Sequence, residues 1–234
     1  MKQHFFYFIN NYNRLFKKTP VNLSSGFEIL DNELPNNKWP KSCLIELLSN
    51  NTTAADIDFI VPTLKQIINK NQMIVIFSKS IFIHYDKLLS AGIPENLLVM
   101  IDSQSSIEKI SKLNTDKRMP IGAVIGWIGN EQSFTSLQRI QACLKTSNAH
   151  SFLFRSLSTK DKPSPSPFRI TMEKIGLSKV RMMIIKRRGP TTPKTFNLEL
   201  CKIKLGTNGD YVISNKDHKL LNKFFYDSKH ALSH

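Results

Sequence analysis

The first residues in this chain that could do chemistry are Ser49 to Asp56, Ser-Asn-Asn-Thr-Thr-Ala-Ala-Asp. They follow a hydrophobic stretch, Cys43 to Leu48, and lead into an apolar-periodic helix expected from about Ala54. Strand, loop and helix in that order make the frame of a phosphate-binding loop. Such a loop needs glycines, so that successive backbone N–H groups converge on a phosphate, a lysine for the β- and γ-phosphates and a hydroxyl for the metal. Thr52 and Thr53 supply hydroxyls, but the loop has neither glycine nor lysine. Asp56 sets a carboxylate where the helix dipole would attract an anion. The frame is present without its chemistry, and neither a nucleotide cofactor nor catalysis is expected.

Other candidate groups are sparser. The strand Ile121 to Ile128 ends in Gly126-Trp127-Ile128 without an acid, and Glu131 lies beyond it at a helix start that favours a carboxylate on dipole grounds alone. Trp127, at the C-terminal end of a central strand, has two readings: core packing, or an anchor for a partner. Cys43, Cys143 and Cys201 are widely spaced in apolar elements and read as buried thiols of a reducing cytoplasm. The histidines show no ligand spacing except His230 and His234 in the terminal tail, so no metal is expected. The basic residues are more suggestive. Lys179, Arg181, Lys186, Arg187, Arg188 and Lys194 cluster late in the chain, with Lys202 and Lys204 beyond, and cations so placed could meet phosphates or an acidic protein.

The 234 residues suit one α/β domain with a tail, and 41% hydrophobic residues suffice for a core. The formal net charge of +15 is uneven: residues 1–150 carry 16 basic against 12 acidic side chains, and residues 151–234 carry 17 against 6. No apolar run reaches the roughly 18 residues of a membrane span, and the N-terminus lacks a signal-peptide cleavage site. Residues 1–22 read instead as an amphipathic helix with Phe5, Phe8, Tyr12 and Phe16 on one stripe, a candidate partner-binding surface. Short apolar runs at 43–48, 73–77, 97–101, 121–128 and 151–154 alternate with helical patterns at about 55–69, 82–91, 105–113 and 133–148, which implies parallel β-α-β units over 23–156. Three prolines alternating with serines make 157–168 an extended, mobile linker. Strands expected at 168–172, 179–186, 195–200 and 211–214 then suit antiparallel pairing at the sheet edge or a small appended unit over 169–214, with a tail at 215–234.

Ser25 to Leu48, with Gly26, Leu30, Asp31, Pro40 and the closing Glu46-Leu47-Leu48, resembles the entry to a RecA-type core, in which a Gly-x-x-x-Leu-Asp segment, a glycine-rich turn and a Pro-x-Gly step precede the first strand. Leu34-Pro35 ahead of Trp39-Pro40, and the Glu-Leu-Leu ending, bring it closest to ImuA, the RecA-like accessory proteins of bacterial mutagenic translesion synthesis, with SulA-type division inhibitors as close relatives. Val124 to Trp127, a helix, and then Ser151 to Arg155 continue the similarity, which covers approximately residues 24–200. The chain departs from the pattern with Asn36-Asn37-Lys38 where relatives are glycine-rich and Ser42 where they have glycine.

The resemblance implies a RecA-like, mostly parallel sheet flanked by helices, with a basic β-rich C-terminal extension. It implies a non-catalytic scaffold in damage-induced (SOS) translesion DNA synthesis. The partners would be the Y-family-polymerase-like ImuB, an error-prone replicative-type polymerase and RecA itself, with non-specific DNA contact. The alternative it carries is a SulA-like inhibitor of cell division that binds the tubulin-like division protein; the length of the chain and its basic third favour the first.

Overall fold

The computed structural model describes residues 23–50, 54–78, 81–102, 120–145, 149–176, 178–188, 194–200, 203–205 and 211–213. The expected N-terminal helix with Phe5, Phe8, Tyr12 and Phe16, the helix at 105–113, the tail at 215–234, Thr52, Thr53 and Cys201 lie outside them.

Continuous apolar runs make strands buried on both faces, as parallel sheets require. β1 (Leu44–Ser49), β2 (Met73–Ser78), β3 (Leu98–Asp102), β4 (Ile121–Trp127), β5 (His150–Ser156), β6 (Phe168–Lys174), β7 (Lys179–Lys186) and β8 (Thr195–Glu199) form one sheet in the order β3-β2-β4-β5-β1-β6-β7-β8. β1 to β6 run parallel, while β7 and β8 complete the sheet antiparallel. β6 therefore pairs parallel with β1, at the sheet's centre, where antiparallel pairing at the edge was expected. β9 (Ile203–Leu205) and β10 (Tyr211–Ile213) form a separate two-stranded ladder. The chain is thus α/β with an eight-stranded, mostly parallel sheet.

Helices lie on both faces. On one pack a short α1 (Glu28–Asp31), α2 (Val61–Ile68) and α3 (Ile81–Ser90); on the other packs α4 (Phe134–Lys145). The helix expected from Ala54 begins as a 3-10 segment, Ala54–Phe59, before α2. Trp39 ties the entry segment to the first face: its Nε1 donates to Thr63 Oγ1 at 2.9 Å, and its ring meets Phe59, Phe152 and Phe168 edge-on. Asp31 closes the preceding turn by accepting from Ser25 N at 2.7 Å and from Ser24 Oγ. Gly26 has φ +87°, and a Cβ there would overlap Pro62 at the start of α2, so the turn takes only glycine.

Asn36, Asn37 and Ser42 also have positive φ, at 55°, 57° and 52°. Asparagine tolerates this left-handed region; serine does so at a cost of about 1–2 kcal/mol. Ser42→Gly is accordingly expected to raise stability by about 1 kcal/mol in a denaturant titration, less the entropy that glycine gains when unfolded. A loss of stability would show that the serine side chain contributes more than its backbone costs.

Residues 157–167 are not the mobile linker their prolines suggest. A 3-10 turn, Leu157–Thr159, leads into a strap that crosses β1. Ser166 is fully buried, and its hydroxyl donates towards the carbonyls of Leu44 (2.7 Å) and Phe168 (2.8 Å). Proline removes backbone donors, so serine hydroxyls supply the missing hydrogen bonds.

Candidate functional site

The frame of a phosphate loop is built, with β1 at the centre of the sheet and the 3-10 segment and α2 after its loop. Ile57, Phe59 and Ile60 are buried at this helix start, and Phe59 stacks on Phe27 with ring centroids 5.9 Å apart. These three belong to the core cluster on that face of the sheet.

At the end of β4, Trp127 is a core residue and not an exposed anchor. Only 6% accessible, its ring is stacked between His84 (centroids 3.8 Å apart) and Phe154 (4.9 Å). His84 in turn holds Ser78 through Nδ1 at 3.0 Å. Gly126 lies against Phe77, whose ring occupies the space a Cβ would need. A side chain that could hold magnesium at position 126 would collide with that ring. Glu131 is exposed, outside the sheet.

At β1 lies a charged cluster whose one sign in the sequence is Glu46 inside a hydrophobic run. Glu46, fully buried, accepts from Arg169 Nε at 2.8 Å through one carboxylate oxygen; the other receives Ser164 Oγ and lies 3.5 Å from Arg155 Nη1. Arg169 also donates to the carbonyls of Lys160 and Thr159, both at 2.8 Å, and so pins the proline strap. Arg155, 1% accessible, has no hydrogen-bond partner at Nε among the described residues. Burial pushes its pKa down, and the nearby Glu46 carboxylate opposes that shift. Two guanidinium groups share one carboxylate out of water, an arrangement suited to fastening chain segments rather than to proton transfer. Cys43, at the entrance to β1, is a buried thiol pushed up to about 11 by desolvation, far from the range of a nucleophile. Among the described residues no group of three or more His, Cys, Asp or Glu side chains could hold a metal ion, and no helix is long and apolar enough to cross a membrane.

The basic cluster is divided. Lys186 ends β7, Arg187 and Arg188 lie just beyond it, and the three side chains go to different partners. Arg187 turns towards α1, where it donates to the Glu33 carbonyl at 3.0 Å and lies 3.9 Å from its carboxylate. Lys194 meets the same carboxylate at 2.6 Å. Arg181 pairs with Glu173 across the strands at 3.0 Å, and Lys179 stands opposite Glu199. Lys186 donates to the Ser164 carbonyl at 2.8 Å. Arg188 instead reaches the α4 side and lines a groove with Lys145, Gln138 and two prolines of the strap. Counting charges along the sequence missed both Glu33, 154 residues before Arg187, and Lys145, which shares no motif with Arg188.

No protein-family model matches this chain, and no curated protein is significantly similar to it.

Proposed function

We propose that the chain is a non-catalytic, RecA-like accessory protein of damage-induced translesion DNA synthesis. It would act in the cytoplasm as a scaffold for ImuB, an error-prone replicative-type polymerase and RecA, with a sequence-independent contact to DNA. The observation that carries this reading is the backbone of Asn36, Asn37 and Ser42. The resemblance places glycines at these positions, and all three keep the left-handed φ that glycine favours. The loop after β1 and the end of β4 support the non-catalytic part: the first has no glycine or lysine, and the second is closed by Phe77 and Trp127.

Two measurements on the full chain test the reading. Titration calorimetry with magnesium and ATP is expected to give no binding heat at millimolar nucleotide; a micromolar dissociation constant lost on changing Thr52 and Thr53 would restore an ATPase. Immobilised protein is expected to retain the ImuB-type partner from purified components. Retention of the tubulin-like division protein instead would assign the chain to division control.

A further inference from the structure

Three cations of the basic segment are held in ion pairs. Arg187 and Lys194 share Glu33, and Arg181 has Glu173. Arg188 and Lys145 differ: both are exposed, and neither forms an ion pair among the described residues. They meet at a groove of about 260 Å³ between the last two turns of α4, the strap prolines Pro165 and Pro167, and the end of β7. Gln141 in its floor turns Oε1 inward to accept from Leu44 N at 2.8 Å, which leaves its amide NH₂ as the group available to the groove. Among the described residues no carboxylate lines it. The C-terminal end of α4 carries partial negative charge that Lys145 offsets, so attraction for an anion comes from the two cations jointly.

We propose that this groove, and not the Arg187–Lys194 side, is where the chain holds the phosphate backbone of single-stranded nucleic acid. The proposal rests on the nucleic-acid contact in the function above, keeps Arg188 of the basic run and adds Lys145. Nucleic acid fits better than an acidic peptide because the apolar lining is only Ala142, Pro165, Pro167 and side-chain stems. A peptide groove draws affinity from buried apolar anchors, whereas a phosphate backbone needs chiefly cations. Lys186, exposed beside the strap and bonded to the Ser164 carbonyl, adds a further cation near the groove.

The test is fluorescence anisotropy of labelled oligo-dT with the full chain over a range of salt. Lys145→Gln/Arg188→Gln is expected to weaken binding roughly tenfold and to reduce the slope of log affinity against log salt by about 0.7 for each phosphate that is no longer neutralised. Arg187→Gln/Lys194→Gln is expected to stay within twofold of wild type. Ala142→Glu keeps both cations and sets a carboxylate in the groove; it should match the groove double variant, which guards against a folding defect in either. If the Arg187/Lys194 variant is weakened and the groove variants are not, the groove is wrong and the nucleic-acid contact survives. If the wild-type chain binds no oligo-dT at low salt, whether or not it captures poly-glutamate, the proposal fails; retention of the ImuB-type partner judges the scaffold separately.

Discussion

Glu46→Ala is expected to cost about 3–5 kcal/mol of folding stability, a large part of the 5–15 kcal/mol typical of a domain. Among the described residues its carboxylate is the one anion paired with two buried guanidinium groups, and Ser164 on the strap also depends on it. Removing it strands Arg155 and Arg169 out of water, and desolvation of an uncompensated ion outweighs the small side-chain volume removed. The measurement is the urea midpoint at constant m-value. A triple change, Glu46→Leu with Arg155→Met and Arg169→Met, removes all three charges and is expected to recover most of the loss, because well-packed apolar residues can replace a buried ionic cluster at little cost. A single variant that loses less than about 1 kcal/mol would show that water reaches these guanidinium groups.

Gly126→Ala is expected to lose about 1–3 kcal/mol by overpacking. The added methyl would overlap the Phe77 ring, which is 2% accessible and held between strands and α4. The neighbouring strand fixes the pairing, since Gly126 stands opposite Phe77 in the ladder of β4 and β2. Phe77→Leu should then partly rescue Gly126→Ala, giving a coupling energy of opposite sign to the single losses. Strict additivity of the two changes would mean that the backbone moves aside and the ring is not the obstacle.

The elements were legible where their period was strong. Ile74 to Phe77 is apolar without interruption and Val124 to Trp127 is broken only by Gly126, and a strand buried on both faces is the short element that accommodates such a run. Propensity failed where distant groups decide. Pro163, Pro165 and Pro167 forbid helix, as expected, but the order of the strap comes from Ser164, Ser166 and Arg169 meeting Glu46 and Leu44, more than 115 residues away. Glu46 inside a hydrophobic strand was the available hint, because a buried carboxylate must find a partner. The basic run showed the opposite failing: adjacent charges look like one patch in sequence, but beyond the end of β7 Arg187 turns to Glu33 while Arg188 lines the α4 groove.

The position of β1 also governs how the chain is made. Leu44 pairs with Ser151 on one side, and Ile45 with Phe168 on the other, so neither edge of the central strand has a partner until more than a hundred further residues exist. Non-local pairing of this kind places loop-closure entropy ahead of any reward and slows folding. At about 5–20 residues per second, Leu-Ile-Glu-Leu-Leu waits many seconds during synthesis with both edges open. The nascent chain therefore carries an unpaired hydrophobic strand while about a hundred further residues are added, a window in which it is open to chaperones and to mispairing.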